Sequence, residues 1–278
     1  MSADRGTGPT IVAAMDLGDG RRFRGCGALV TGGSSGIGLA TACRLAAEGA
    51  SVVLVGMTAA KVAAAEREVR RVAEESWARR AEQTPRVQGR VADVTDPAAM
   101  EAAAEAAFAL AGRLDVLVGA AGIDGEGKDA LDLDPAVFAR VLDVNVRGLL
   151  LASQSAARRM SPGAAIVLVA SVNALHTEAR FADYNASKGA AVLLARTLAV
   201  DWARRGIRVN AVCPGYVRTP MTEAYLDDPD TLAEILDHVP MGRIADSDEI
   251  AAAIAFLASA EASYLTGSSI VVDGGRSA

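Results

Sequence analysis

Short apolar runs rich in β-branched residues alternate along the chain with Ala-rich segments that have helical periodicity. The apolar runs predict strands at residues 27–31, 51–56, 87–92, 116–119, 165–171, 208–212 and 269–272. The periodic segments predict helices at residues 36–48, 59–80, 97–111, 135–159, 184–204 and 246–258. Most predicted strands lack polar–apolar alternation, so we expect both of their faces to be covered, as those of parallel strands are.

Seven strands linked by crossover helices predict an α/β fold with a doubly wound, Rossmann-type parallel sheet. No change in composition divides the chain, so we expect one domain at residues 25–278 after a flexible lead-in at residues 1–24. Residues 77–85 make the second crossover longer than a βαβ unit needs. Residues 216–244 contain three prolines and follow the carboxyl end of a strand, where such sheets bind ligands. This segment is predicted to be a substrate lid, with a plain surface excursion as the alternative.

Charge and composition narrow the classes of partner. The 278 residues carry a formal net charge of −6, which disfavours binding to nucleic acid and to anionic membranes. We therefore expect the partner to be a small-molecule substrate. Three widely spaced cysteines predict reduced thiols in a cytoplasmic protein, and with only two histidines we predict no bound metal. No apolar leader is visible in the first 24 residues, and the longest apolar run, at residues 250–260, is too short for a membrane span.

The turn Thr31-Gly32-Gly33-Ser34-Ser35-Gly36-Ile37-Gly38 stands between the first predicted strand and the first predicted helix. Glycines allow the backbone to approach a pyrophosphate closely, and the helix N-terminus presents free N–H groups to it. In this context the turn predicts a phosphate cradle for a dinucleotide.

The same turn also matches the Gly-x-Ser-x-Gly pattern of a nucleophile elbow, which makes a serine hydrolase using Ser34 the rival enzyme. Its base would be His176 or His238, and neither has an obvious acidic partner in the sequence. An elbow normally follows several strands, whereas only one precedes Ser34. We therefore rank the hydrolase behind a dinucleotide-binding enzyme.

Tyr184 and Lys188 lie four residues apart in a predicted helix, so their side chains share one face. A phenol has an unperturbed pKa near 10 and is a poor base at neutral pH. An ammonium about 4 Å away contributes roughly 4 kcal/mol at an effective dielectric of about 20. That energy corresponds to about three pKa units and predicts a tyrosine suited to acid–base catalysis.

Two further polar residues are candidates for the same site. Ser171 lies at the carboxyl end of a predicted strand, where its hydroxyl can donate to a substrate oxygen. Asn145 lies within a predicted helix, and its amide can hold a water or a backbone group. The alternative for Asn145 is a local hydrogen bond within that helix.

With these residues in this order, the chain resembles the short-chain dehydrogenase/reductase family from about Arg24 to Gly275. The matching motifs are Thr31-Gly32…Gly36-Ile37-Gly38, Asp93-Val94, Asn145, Ser171, Tyr184…Lys188, Pro214-Gly215 and Asp273-Gly274-Gly275. The resemblance implies a hydride transfer between a nicotinamide cofactor and a carbonyl or secondary alcohol.

The resemblance also implies a role for each catalytic candidate. Tyr184 exchanges the substrate proton, Ser171 positions the substrate oxygen, and Asn145 supports a proton-relay water. Lys188 lowers the pKa of Tyr184 and binds the nicotinamide ribose. The cofactor-binding residues are expected to be Gly32, Ser34, Ser35, Gly36, Ile37, Gly38, Thr58, Asp93, Val94, Ala120, Gly122, Tyr184, Lys188, Pro214, Gly215, Val217 and Thr219.

The sequence departs from the family pattern at two places. Gly119-Ala120-Ala121-Gly122 replaces the usual Asn-Asn-Ala-Gly, so the Asn side-chain contacts with the cofactor are absent. The second strand ends in Val55-Gly56-Met57-Thr58, without the acidic residue that repels a 2′-phosphate. Thr58 and Lys61 could contact such a phosphate. We therefore expect relaxed selectivity that favours NADP(H) over NAD(H).

Two expectations concern the molecule as a whole. A non-catalytic dinucleotide sensor with the same fold is an alternative function, although such a protein would be expected to lose Ser171, Tyr184 or Lys188.

Residues 135–159 and 184–204 carry more small and apolar positions than one sheet face can cover. The resemblance implies that these helices pair across subunits, so we predict a homotetramer, or at least a dimer.

Overall fold

The strands of the protein form one sheet in the order β3-β2-β1-β4-β5-β6-β7, and every neighbouring pair is parallel. This computed structural model describes residues 21–78 and 83–278. The strands are β1 (Gly27–Thr31), β2 (Ser51–Gly56), β3 (Val87–Val91), β4 (Leu114–Gly119), β5 (Met160–Val169), β6 (Arg208–Pro214) and β7 (Ser269–Val272). The strand order reverses between β1 and β4, which opens a crevice at their carboxyl ends. The predicted doubly wound α/β fold is confirmed.

Helices connect the strands and cover both faces of the sheet. They are α1 (Gly36–Ala47), α2 (Ala59–Trp77), α3 (Pro97–Ala111), α4 (Pro135–Leu142), α5 (Gly148–Ala157), α6 (Ala182–Trp202), α7 (Glu223–Leu226), α8 (Pro229–Asp237) and α9 (Ser247–Ala258). Three of them, α3, α4 and α8, begin with the dipeptide Asp-Pro. In each, the Asp carboxylate accepts a hydrogen bond from a backbone N–H of the first turn, and the proline occupies a position whose N–H has no helical partner.

Successive strand residues point to opposite faces and build two cores. Leu29 and the strand residues on its side of the sheet pack against α3, α5 and α6. Val30 and the strand residues on the opposite side pack against α1, α2 and α9. Both faces of each central strand are therefore buried, which explains why the sequence shows continuous apolar runs.

The segment predicted as one helix at residues 135–159 is divided in the structure. A π-helical turn, Asp143–Arg147, separates α4 from α5 and contains Asn145. A π-turn inserts one residue into the helical repeat and changes the direction of the side chains around it. Apolar periodicity continues through the turn, so the sequence pattern could not reveal the division.

The packed domain begins before the predicted boundary at residue 25. Phe23 is buried, with 2% of its surface exposed, and its N–H donates to the carbonyl of Glu48. Arg22 forms a two-point salt bridge with the carboxylate of Glu48, with distances of 2.6 and 2.8 Å. The remainder of the predicted lead-in, residues 1–20, lies outside the described residues, as do residues 79–82 of the predicted extension at 77–85.

Within the described ranges 21–78 and 83–278, no helix combines the length and the apolar composition needed to cross a membrane.

Candidate active site

Two cavities lie at the carboxyl ends of the strands and share the side chains of Ser171 and Tyr184. The first is a cleft of about 400 Å³ that follows the crevice between β1 and β4. The second, of about 520 Å³, lies beneath residues 216–244. We call them the cofactor cleft and the substrate cavity.

Every residue predicted to bind the cofactor lines the cofactor cleft. Residues from the ends of β1, β2, β4 and β6 contribute to it, although they are far apart in the chain. The grouping follows from the sheet order, because parallel strands bring their carboxyl ends to one edge.

The Gly-rich turn forms the phosphate end of the cleft. The N-cap residue of α1, Ser35, makes no side-chain capping bond, so the first N–H groups of α1 face the cleft without that partner. Gly36 has φ = +51°, and a Cβ at Gly38 would lie 2.2 Å from the carbonyl oxygen of Gly32. The backbone is therefore compact, as a pyrophosphate cradle requires.

The junction between β2 and α2 adjoins the Gly-rich turn at this end of the cleft. The Ser34 side chain packs against Gly56, where a Cβ would approach the Ser34 Oγ to 2.5 Å. Thr58 is the N-cap of α2 and makes no side-chain capping bond, and Lys61 follows it in the lining of the cleft. No acidic side chain of this junction lines the cleft.

Asp93 and Val94 stand beside this end. The Asp93 carboxylate accepts bonds from the N–H and the hydroxyl of Thr95, at 2.9 and 2.8 Å, which holds the pKa of this carboxyl below its usual value. Arg140 lies 3.7 Å from Asp93 and also lines the cleft. Sequence reasoning missed Arg140 because it is on α4, distant from every cofactor motif.

Asn145 is fully buried and does not line either cavity. Its amide accepts a bond from the N–H of Ile123 at 2.8 Å and donates to the Ile123 carbonyl at 2.9 Å and to Ser187 Oγ at 3.0 Å. The sequence analysis allowed the Asn145 amide to hold either a water or a backbone group. In the structure it holds the backbone of Ile123. It fixes the segment after β4 against α6, beside Gly122.

Tyr184 and Lys188 are on the first turns of α6, which begins two residues before its predicted start. Lys188 Nζ donates to the Val169 carbonyl at 3.1 Å and lies 5.3 Å from the centroid of the Tyr184 ring. Ser171 is two residues beyond the end of β5 and caps a short 3₁₀ turn, where its hydroxyl accepts from the N–H of Asn173 at 3.1 Å. The structure thus brings these three predicted residues together.

The electrostatics differ from the expectation for Tyr184. Burial raises the pKa of its phenol, the charge of Asp124 raises it further, and a hydrogen bond with Ser171 opposes the rise. Burial also lowers the pKa of Lys188 to about 8. The predicted lowering of the Tyr184 pKa is therefore wrong, because desolvation of the buried phenol is the largest influence on it.

The substrate cavity adds residues that sequence reasoning missed. Its wall contains Asp124, Glu178, Tyr216, Tyr225 and Arg276 from four separate segments. Arg180, four residues before Tyr184, also lines the cavity, whereas His176 does not. Side chains from α7 and α8 complete the wall, so residues 216–244 lie where a lid would lie.

The hydrolase alternative is not supported. Ser34 lines the cofactor cleft, and neither His176 nor His238 does. His238 lines the substrate cavity instead, and its Nδ1 is bonded to the Glu234 carbonyl at 2.8 Å. Ser34 thus has no histidine base. Among the residues described by the structure, no cluster of His, Cys, Asp or Glu could hold a metal ion.

Comparison with known proteins identifies the family. A family described as Enoyl-(Acyl carrier protein) reductase matches residues 32–277. The chain is 43% identical to galactitol 2-dehydrogenase (L-tagatose-forming) of Cereibacter sphaeroides, over 91% of this chain and 96% of that protein. It is 37% identical to 2-(R)-hydroxypropyl-CoM dehydrogenase of Xanthobacter autotrophicus, over 90% of this chain and 98% of that protein.

Among solved structures, a short chain dehydrogenase from Burkholderia cenocepacia J2315 in complex with NADP aligns with a TM-score of 0.83 at 34% identity. The alignment covers 92% of this chain and 100% of that chain. With its parallel seven-stranded sheet and its cleft at the carboxyl ends of the strands, this chain belongs to the short-chain dehydrogenase/reductase family and is a nicotinamide-dependent oxidoreductase.

Proposed function

We propose that the protein transfers a hydride between a nicotinamide cofactor and a carbonyl or secondary-alcohol substrate, using Ser171, Tyr184 and Lys188. The observation that carries this proposal is the junction of the two cavities at Tyr184 and Ser171. A cofactor in the cleft and a substrate in the cavity would meet beside these two hydroxyls. The compact Gly-rich turn and the uncapped start of α1 fit the diphosphate of such a cofactor.

When bound, the cofactor supplies or accepts the hydride at the substrate carbon. Tyr184 gives its phenolic proton to the carbonyl oxygen during reduction, and its phenolate takes a proton from the alcohol during oxidation. Ser171 orients that oxygen through its hydroxyl. The raised pKa of Tyr184 keeps the phenol protonated at neutral pH, which suits the donor role in reduction.

Lys188 and Asn145 support the site in different ways. Lys188 lines the cleft next to the Tyr184 ring, from which its Nζ can reach the nicotinamide ribose. Asn145 positions the backbone of Ile123 and, through Ser187, the start of α6. We assign it a positioning role, and its part in a proton-relay water stays a prediction.

For the cofactor we propose NADP(H) in preference to NAD(H). Gly56, Met57 and Thr58 offer no carboxylate that would repel a 2′-phosphate, while Lys61 adds a positive charge at the same end of the cleft. The similar Burkholderia cenocepacia protein binds NADP. We further propose that residues 216–244 act as a lid over the substrate.

The first prediction tests the reaction. We expect Tyr184→Phe to lower kcat by about 10²–10⁴-fold with a carbonyl substrate, because only the transferable proton is removed. Its Kd for the reduced cofactor, measured by nicotinamide fluorescence, is expected to change little. Lys188→Ala is expected to weaken both turnover and cofactor binding.

Tyr264→Phe is the matched control, because Tyr264 is fully exposed and remote from both cavities. Activity of Tyr184→Phe above about one tenth of the wild type would contradict the assigned role. Tight cofactor binding by a wild-type protein that turns over no alcohol or ketone would favour the non-catalytic sensor instead.

A further inference from the structure

The substrate cavity has a wall of mixed charge with an excess of acidic groups. Asp124, Glu178 and Glu234 contribute three carboxylates, whereas Arg180 and Arg276 contribute two guanidinium groups. An apolar substrate would remove the remaining acceptor positions of these carboxylates from water without offering them a donor, which is unfavourable. The cavity therefore suits a substrate that can itself donate hydrogen bonds.

The charge of Arg276 is already balanced within the protein. Its guanidinium lies 3.8 Å from the Glu178 carboxylate and 4.8 Å from the centroid of the Tyr216 ring. Glu178 also accepts from the Tyr216 hydroxyl at 3.0 Å and from the Asn173 amide at 3.3 Å. This network forms a fixed polar wall and offers an anionic substrate no unpaired guanidinium at that position.

Asp124 also lines the cavity, close enough to Tyr184 for its charge to act on the phenol. One of its carboxylate oxygens accepts from the Tyr225 hydroxyl at 2.7 Å, and the other accepts from the N–H of Gly125 at 2.9 Å. Each carboxylate oxygen has two acceptor positions, so Asp124 retains capacity for a further donor. A carboxylate beside the reacting centre also repels an anionic group on the substrate at that place.

We infer that the substrate is a neutral, polyhydroxylated alcohol or ketone, and that Asp124 accepts a hydrogen bond from the hydroxyl next to the reacting carbon. This inference rests on the proposed function and narrows its substrate class. In oxidation a bound nicotinamide would accept the hydride of the carbinol C–H, and Tyr184 in its phenolate form would accept the proton of the carbinol O–H. The neighbouring hydroxyl, held by Asp124, is unchanged in the hydroxyketone product.

The test compares matched six-carbon substrates with the purified full-length protein. Hexan-2-ol, hexane-1,2-diol and 2-hydroxyhexanoate share a secondary alcohol at the second carbon and differ only in the neighbouring group. For the wild type we expect a kcat/KM for the diol about tenfold or more above that for the mono-alcohol, since a hydrogen bond to a charged group discriminates by at least that much. The acid is expected to be the poorest substrate.

Variants then assign the preference to Asp124. In Asp124→Ala the ratio of kcat/KM for diol to mono-alcohol is expected to fall towards one. Asp132→Ala, in the same loop but exposed and outside both cavities, should keep the wild-type ratio. Tyr225→Phe should also keep it, because the substrate and not Tyr225 provides the discriminating donor.

Three outcomes overturn the inference while the reaction class stands: equal use of diol and mono-alcohol by the wild type, preference for the acid, or an unchanged ratio in Asp124→Ala. A fall towards one of the diol to mono-alcohol ratio in Tyr225→Phe would also overturn the inference, since Asp124 would then act by holding α7 through Tyr225. Cofactor affinity of each variant, measured by fluorescence, verifies that its fold is intact. If no alcohol is oxidised and no ketone reduced, the proposed function itself fails.

Discussion

Lys188 is a cation in an environment that disfavours charge. Its side chain has a hydrogen bond to the Val169 carbonyl, yet only 6% of the residue is exposed, and burial lowers its pKa to about 8 from an ordinary 10.5. Below pH 8 the folded protein must keep this ammonium desolvated. We therefore expect Lys188 to reduce the stability of the fold at neutral pH.

The sign of the pH dependence follows from linkage. Between pH 8 and 10.5 the unfolded chain binds more protons at Lys188 than the folded protein does. The destabilising effect of Lys188 on the fold therefore becomes smaller as the pH rises. We predict that the free energy of unfolding of the wild type, relative to that of Lys188→Met, increases by on the order of 1–3 kcal/mol from pH 8 to pH 10.

Urea unfolding at several pH values measures this difference. Cys26 and Cys43 are partly buried, and desolvation raises the pKa values of their thiols. Their contribution lowers the stability of both proteins as the pH rises, and it cancels when the two proteins are compared. A pH-independent difference between wild type and Lys188→Met would show that the ammonium is not strained by burial.

Single residues differ in how far the sequence reveals their role. Tyr184 and Lys188 were found because a helix converts a spacing of four into proximity. Asp124, Glu178 and Arg276 were not found, because each lies in an irregular segment whose path no periodicity describes. The pKa of Tyr184 was mispredicted for a related reason, since burial cannot be read from the spacing of two charges.

At the scale of elements, the start of α2 carries the cofactor preference. Thr58 leaves the first turn of α2 without a side-chain cap, and Lys61 lies within that first turn. A 2′-phosphate placed there would gain from the helix N-terminus and from the lysine charge. We predict a higher kcat/KM with NADP(H) than with NAD(H). In Lys61→Ala the kcat/KM with NADP(H) should fall several-fold, whereas the kcat/KM with NAD(H) should not change.

Steady-state kinetics with both cofactors measures this preference. Lys128→Ala is the control, because Lys128 is an exposed lysine outside the cofactor cleft, paired with Glu126. A preference for NAD(H) above about a hundredfold, roughly 2.7 kcal/mol, would show that another feature rejects the phosphate.

The elements themselves followed closely from the sequence. The bounds of β1, β2, β7 and α3 agree with those predicted, because glycines, prolines and caps mark their ends. The π-turn Asp143–Arg147 was missed, since Asn145 leaves the helical repeat to bind Ile123, a contact across 22 residues. Short-range patterns contain no information about such a contact.

At the scale of the molecule, one face of α6 is incompletely covered. Leu193 and Val200 lie seven residues apart on the same side of α6 and are 61% and 80% exposed. Exposed apolar side chains in such an arrangement mark surfaces that associate. We predict a homotetramer, or at least a dimer, in which this face is buried.

Light scattering at micromolar concentration is expected to give a multiple of 28.5 kDa for the wild type. Val200→Glu should shift the mass towards smaller species, because association would bury a carboxylate. Leu131→Glu, at a loop position that is 95% exposed, should not change the mass. A wild-type mass of 28.5 kDa would exclude both oligomeric forms.

The contact between Ser34 and Gly56 has a consequence for how the cofactor preference could change in evolution. A side chain at position 56 would need the space that the Ser34 hydroxyl occupies. An acidic replacement of Gly56 is therefore blocked on its own, and alanine at position 34 would still leave a Cβ 2.8 Å from the new side chain, so Ser34 must first become glycine. The turn after β1 and the end of β2 are thus coupled in evolution, because steric exclusion requires the substitution of Ser34 to come before that of Gly56.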